Sequence, residues 1–303
     1  MKKIDAHLHV AQIIAGYCRR GELRAAGQGK AMWGNGESFQ LIPKEYGDEN
    51  FTIESAIGMM RQNNVEKAVL MQGSMYGFQN QYHYEILRRY PGMFCPSCTV
   101  DPYMTDHLDT LKQYFGTMGF RLAKFEVSSG GGLMGCHEPF SLMSERMQKI
   151  YQVISDHKGV LALDVGDITM ASYQPENLRQ LAQWFPELKL VVCHLLAPVK
   201  GREKEWINDL KRLDLDNVWF DISALPKILN SPAYPFADAR KILITAKDML
   251  GPKKMMWGTD APFAATRNSY SNLADYLEAD GVFSQEELRD VYYENAGRVY
   301  FSE

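Results

Sequence analysis

Short apolar runs alternate along this chain with segments whose apolar residues recur at helical spacing. The first run, residues 4–10, is apolar except for Asp5, His7 and His9 and reads as a strand. Further strands are predicted at 67–72, 93–100, 119–127, 160–165, 188–194, 217–222 and 254–260. Helices are expected between them. Thr52 can cap one that runs to about Asn63, with Ile53, Ile57 and Met60 on one face. Others fall at 81–90, after Thr105 or Asp106 (Leu108, Leu111 and Phe115 on one side), at 141–157, at 175–185 with proline in the first turn, at 206–213 and at 236–250. Ser284-Gln285-Glu286-Glu287 spells a capping box that opens the last helix. Residues 11–50 are rich in glycine, lack a clear period and read as irregular.

About eight strands alternating with about eight helices predict an α/β chain folded as a (β/α)8 TIM barrel. Several strands are near-continuous apolar runs, as parallel strands covered on both faces should be. The rival is an open doubly wound sheet, but no glycine-rich dinucleotide fingerprint follows the first strand. Barrels of this kind reach 303 residues as one unit, so a single domain over 1–303 is expected. Residues 11–50 then become a long insertion after strand one, over the C-terminal rim.

Composition narrows the class. Hydrophobic residues make up 46% of the chain, ample for a large core, and the formal charge of −4 argues against nucleic acid or an anionic membrane surface as partner. No run is long enough to span a bilayer, and Asp5, His7 and His9 interrupt any signal-peptide core behind Lys2 and Lys3, so a cytoplasmic protein is expected. Five cysteines cannot all pair. Cys95 and Cys98 form a C-x-x-C with no second copy and read as small buried thiols.

Catalytic groups of such barrels gather where strands end. His7 and His9 end strand one, Asp164 strand five, His194 strand six and Asp260 strand eight. Residues two apart on a strand share a face, so His7 and His9 either hold one metal ion or each satisfy a hydrogen bond in the core. On strand four, Arg121 or Lys124 either binds a substrate carboxylate, with Arg121 better shaped for it, or is a solvated or helix-packed cation; Glu126 lies nearby. The run Ser128-Ser129-Gly130-Gly131-Gly132 can turn its amides on an anion, serve as a lid or simply connect. His137 lies beyond it, while His83, His107 and His157 read as surface residues. Tyr17, Arg19, Arg20, Arg24, Trp33 and Phe39 would roof the pocket or form a contact between subunits of a homo-oligomer; Trp219 and Trp257 read as core.

The opening D-A-H-L-H, the V-V-C-H of strand six, N-V-W-F-D-I-S, W-G-T-D-A-P-F and the closing E-N-A-G-R-V-Y-F resemble the amidohydrolase superfamily. More narrowly, they resemble its amidohydrolase-related branch, which includes aminocarboxymuconate-semialdehyde decarboxylase, resorcylate decarboxylase and several lactonases. The resemblance implies that His7 and His9 are metal ligands, that Asp260 binds the metal and shuttles a proton, and that His194 stands beside the substrate. It implies one divalent ion, Zn²⁺ or Mn²⁺. Metal-dependent relatives usually end strand five in histidine, where this chain has Asp164. Asp164 is thus expected as a further, harder ligand, or as the group that fixes an imidazole tautomer. The expected function is metal-dependent hydrolysis of a small amide, ester or lactone, the substrate itself carrying a carboxylate. The alternatives are non-oxidative decarboxylation of an aromatic or muconate-like acid, a metal-free lactonase, and an inactive binding barrel.

Overall fold

The computed structural model describes residues 1–231, 233–279 and 281–302. Strand β1 (Lys3–Leu8) is followed by an excursion of four short strands: β2 (Gly16–Cys18), β3 (Gly21–Ala25), β4 (Lys30–Trp33) and β5 (Ser38–Gln40). These pair antiparallel in chain order, so the stretch expected to be irregular is a small meander. Its strands are three to five residues long and joined by glycine-containing turns, too short to show a period.

Helices and strands then alternate: α1 (Ile53–Arg61), β6 (Val65–Leu70), α2 (Asn80–Arg89), β7 (Phe94–Cys98), α3 (His107–Lys112), β8 (Leu122–Glu126), α4 (Leu133–Cys136), α5 (Glu145–Asp156) and β9 (Val160–Asp164). After these come α6 (Pro175–Trp184), β10 (Lys189–Val192), α7 (Glu203–Arg212), β11 (Val218–Asp221), α8 (Leu225–Ile228), α9 (Ala237–Leu250), β12 (Met255–Met256), α10 (Tyr270–Ala279) and α11 (Gln285–Arg289). Thr52 caps α1, and Ser284 and Glu287 make both bonds of the capping box on α11. The eighth barrel strand shrinks to two residues, and the W-G-T-D that follows places Gly258 against His7 and carries Asp260 into the site.

Eight parallel strands run β1-β6-β7-β8-β9-β10-β11-β12. Backbone bonds from Ala6 N to Trp257 O (3.0 Å), Asp260 N to His7 O (2.8 Å) and His9 N to Ala261 O (2.8 Å) close β12 back onto β1. The fold is the (β/α)8 barrel. Inside it, Ile4, Ala6, Leu122, Val160, Ala162 and Val191 meet a plug formed by Ala296, Val299 and Tyr300 from the C-terminal segment. A larger apolar layer lies between strands and helices. No helix of the described residues is long and apolar enough to cross a membrane.

The chemistry concentrates at the other end. The meander packs onto the loops there: Arg19 N donates to Gly135 O (3.1 Å), the Cys136 thiol to Tyr17 O (2.9 Å), and Phe39 meets Phe263 edge-on at 5.5 Å. All five cysteines are free, and burial pushes the Cys95 thiol up to about 12, as suits small core residues.

Candidate active site

Simple alternation along β1 would put Asp5, His7 and His9 on one face. The structure does something else: the β1–β6 register slips between Asp5 and Leu8. Ile4 and Ala6 face the barrel interior, while Asp5 reaches outward to the Tyr270 hydroxyl of α10 (2.9 Å) and to Thr259 Oγ1 (2.6 Å). The slip turns His7 inward beside Ala6, and His9 follows it. A bulge that re-aims a side chain beside a site has this effect. Gly258 makes room, since a Cβ there would lie 2.8 Å from His7 N and 2.9 Å from His7 Cβ. Gly73 does the same for His9, where a Cβ would come within 3.1 Å of the ring.

Hydrogen-bond partners settle the proton positions on both rings. His9 Nδ1 faces the Met71 carbonyl at 2.9 Å, an acceptor only, so that nitrogen carries the hydrogen. His7 Nδ1 faces Asp221 Oδ2 at 3.1 Å. Burial opposes the Asp221 charge, but His7, His194 and Ser223 outweigh it and hold the carboxyl well below its ordinary range, so Asp221 too is an acceptor. Both Nε2 atoms therefore present lone pairs. They lie 3.1 Å apart, and Asp260 Oδ1 completes the triangle at 3.2 Å from His9 Nε2 and 3.9 Å from His7 Nε2. Three electron-pair donors turned on one point, with no hydrogen among them, fit a cation. A proton is a poor substitute, because burial lowers the His7 pKa to about 4 despite Asp221. Ligand distances of about 2.0–2.2 Å around a tetrahedral ion place donor atoms about 3.4 Å apart, in the middle of the observed range. The donor set therefore fits a divalent metal, with Asp221 and Met71 O orienting the two imidazoles from behind.

His194 differs. It begins four consecutive left-handed residues (φ 57°, 52°, 61° and 42° through Ala197), a conformation costing roughly 1–2 kcal/mol per residue outside glycine. Asp221 anchors this turn by accepting the His194 backbone N–H at 3.1 Å. His194 Nδ1 lies 2.9 Å from Ser223 Oγ, whose own hydrogen goes to Asp221 Oδ1. Its Nε2 faces Asp164 Oδ2 at 3.6 Å. Both nitrogens thus face acceptors, which is the pattern of an imidazolium. Burial works against that charge, but Asp164, Asp221 and Asp260 overcome it and raise His194 to about 9; Asp164 is correspondingly held below its ordinary value.

Asp164 is thus not gathered into the triangle with His7, His9 and Asp260. Its Oδ1 accepts Gly166 N at 2.9 Å and its Oδ2 serves His194, so of the ligand set expected from sequence the structure assembles three members. A ring nitrogen of His194 comes within 4.8 Å of ligand atoms of His7 and Asp260, but both nitrogens face other acceptors. Asp260 is itself left-handed (φ 60°), and its Oδ2 faces Lys227 Nζ at 3.9 Å, which rests 3.3 Å from the Phe263 ring centroid.

The side chains surround a cavity of about 390 Å³. Arg121 is a correction: it does not line that cavity. It precedes β8, lies exposed at the opposite end of the barrel and reaches Ser302 O at 3.5 Å. Lys124, three residues on, is the strand-four cation that enters the cavity, together with Glu126. Of the meander residues singled out, Arg20 lines the cavity, its guanidinium 4.4 Å over Trp33 and 3.3 Å from Glu37, while Tyr17, Arg19 and Arg24 are exposed away from it. His137 pairs with Asp101 at 2.9 Å, outside the cavity. His157 is exposed and His107 half-buried, but His83 is fully buried and donates from Nδ1 to Ser97 O at 2.7 Å, contrary to a surface reading. Gly131 lines the cavity, and Gly132 packs so tightly that a Cβ would lie 2.5 Å from Glu126 O. Trp257 is core, donating to Leu273 O, whereas Trp219 is half-buried under Lys254.

Three side chains were missed as functional. Asp221 ends an apolar strand just as Asp164 and Asp260 follow theirs, and that rule would have found it. Lys227 and Tyr76, which stacks on His9 at 4.7 Å, lie in loops or short helices and carry no pattern.

A family model described as Amidohydrolase matches residues 4–301. No curated protein matches the chain. Among solved structures, the chain is similar to a probable 2-pyrone-4,6-dicarboxylic acid hydrolase from Acinetobacter baumannii with citric acid bound (TM-score 0.72, 19% identity, 100% of both chains covered). An amidohydrolase from Burkholderia multivorans with bound zinc gives a TM-score of 0.72 at 14% identity, again over 100% of both chains. A 5-carboxyvanillate decarboxylase from Sphingomonas paucimobilis gives 0.58 at 12% identity, covering 82% of each.

Proposed function

The chain belongs to the amidohydrolase family, and from that premise we propose that it is a metal-dependent hydrolase that opens an amide, ester or lactone in a small acidic molecule. One observation carries this reading: His7 Nε2, His9 Nε2 and Asp260 Oδ1 converge as bare electron-pair donors at 3.1–3.9 Å. When bound, a divalent ion at that point supplies Lewis acidity to water and to the substrate carbonyl. The zinc of the Burkholderia neighbour is of the class such a nitrogen–oxygen donor set takes.

The protein's own groups divide the remaining work. Asp260 has one oxygen turned to the imidazoles, and its other oxygen, Oδ2, is the atom free to receive a proton from the attacking water. As the water oxygen bonds to the carbonyl carbon and the carbon–heteroatom bond breaks, Asp260 returns that proton to the departing oxygen or nitrogen. His194, held as an imidazolium by Asp164, places its positive charge beside the oxygen on which negative charge develops. Burial opposes the charge of the resting Asp260 carboxyl, but the His9 ring, Lys227 beside Oδ2 and the His194 charge outweigh it and keep the group ionised.

The test is metal analysis of purified protein followed by a panel of small carboxylated lactones, esters and amides, with Asp260→Asn as the control. The expected result is about one equivalent of zinc or manganese per chain, hydrolysis, and a loss of at least about a hundredfold in the variant. Release of CO₂ without consumption of water would instead make the enzyme a carboxy-lyase. Full activity without metal would leave Asp260 and His194 as a metal-free pair, and unchanged turnover in Asp260→Asn would end the mechanism altogether.

A further inference from the structure

Among the described residues that line the cavity, Lys124 is the buried cation whose charge the mechanism leaves unused. It projects inward from the middle of β8, its neighbours Ala123 and Phe125 facing the outer apolar layer. Only 2% of the residue is exposed, yet it lines the cavity. Among the described residues its ammonium makes no hydrogen bond and has no carboxylate within 4.0 Å. The acids around the cavity are occupied elsewhere: Glu126 Oε2 accepts Ser74 N at 2.6 Å, Asp164 serves Gly166 and His194, and Asp260 Oδ1 faces His9.

Burying an ammonium without a partner is costly, and three N–H donors are left unspent. Burial works to strip its proton, but the fields of Glu126, Asp164 and Asp260 prevail and the group stays charged. β8 is the third strand round from β1, so Lys124 stands across the barrel from His7 and His9, two residues or about 7 Å deeper along its strand than Glu126. A molecule whose carbonyl sits at the histidine corner would extend its far end toward this ammonium.

We propose that Lys124 anchors a carboxylate of the substrate, on the wall facing the His7–His9–Asp260 corner, so that the molecule hydrolysed is itself an acid whose charge lies away from the scissile bond. This rests on the hydrolase reading for the identity of the reacting end, but not for the anchor itself. Neighbouring carboxylates keep the site ammonium-shaped and charged, and its depth makes it a test of length: an acid that cannot reach Lys124 while touching the histidine corner loses the ion pair.

The test uses zinc-loaded protein and calorimetric binding of benzene-1,3-dicarboxylate against its monoamide, 3-carbamoylbenzoate, which matches it in shape but has one charge fewer. The wild type should prefer the diacid by about tenfold or more, as a charge-assisted hydrogen bond predicts, and Lys124→Met should abolish the preference. Because the ammonium has no protein partner, Lys124→Met and Lys124→Gln should both retain zinc and melt at or above the wild-type temperature. Equal binding of the two acids by the wild type, or a preference that survives Lys124→Met, overturns the anchor and assigns carboxylate binding to the metal alone. A large drop in melting temperature in both variants also overturns it, since that marks a structural ion. A protein that prefers the diacid but opens no lactone, ester or amide leaves the anchor standing and refutes the hydrolase reading only.

Discussion

Asp164→Asn removes one charge from the site and almost no volume. The asparagine carbonyl can still accept Gly166 N, now at 2.9 Å from Asp164 Oδ1, so the end of β9 keeps its turn. His194 Nε2 loses the carboxylate at 3.6 Å. Two unit charges at that distance attract by about 5 kcal/mol at an effective dielectric of about 20, an upper bound for a pair that opens on a cavity. The wild-type imidazole is raised from 6.5 to about 9, worth on the order of 3 kcal/mol in favour of its protonated form. Without Asp164, burial is opposed by the charges of Asp221 and Asp260, and His194 should titrate at least about 1 pH unit lower. The sign for stability follows. A group whose pKa rises on folding stabilises fully below its unfolded value of 6.5 and loses that contribution as pH climbs through about 9. Wild-type stability should therefore fall between about pH 7 and 9, and the variant's should be flatter there. The assay is an imidazole ¹H–¹⁵N titration of chelator-treated protein, paired with kcat/KM against pH for the zinc-loaded form, whose alkaline limb should move down with the ring. A His194 titration within about 0.5 pH unit of wild type would show that Asp164 does not sustain the imidazolium.

Asp221→Asn should weaken zinc affinity by about 10–100-fold without unfolding the barrel, because the amide no longer fixes the hydrogen on His7 Nδ1 (3.1 Å); competition with a chromogenic chelator measures it, and unchanged affinity would refute the tautomer argument. Gly258→Ala should cost about 1–3 kcal/mol in denaturant unfolding and lower zinc occupancy, since its Cβ would meet His7 N at 2.8 Å. Chelation should lower the melting temperature, by the equivalent of about 2.7 kcal/mol if the ion had been present at a hundred times its dissociation constant; Zn²⁺ should restore it, and indifference to both would remove the metal from the site.

Much of the architecture was legible because parallel barrel strands are buried on both faces, so their apolar runs stand out whatever they pack against. Thr52, the Ser284–Glu287 capping box and the alternation of strand and helix are local properties, and the structure repeats them. The same double burial is why Arg121 and Lys124 could not be told apart. Their spacing puts them on opposite faces, but when both faces are apolar, parity does not say which one is inside. The meander at residues 16–40 escaped because strands of three to five residues hold too few alternations to be seen.

The chain by itself determined which residue types end the strands: His7 and His9, Asp164, His194, and Asp260 after the eighth. What each of them is depended on partners far away in sequence. Asp221 makes His7 a lone-pair donor from 214 residues away, and Asp260 meets His9 from 251 residues away. Asp164, expected either as a ligand or as the group that orients an imidazole, becomes the counter-ion of His194. A histidine's chemistry is set by what its second nitrogen faces, and only closure of the barrel decides that.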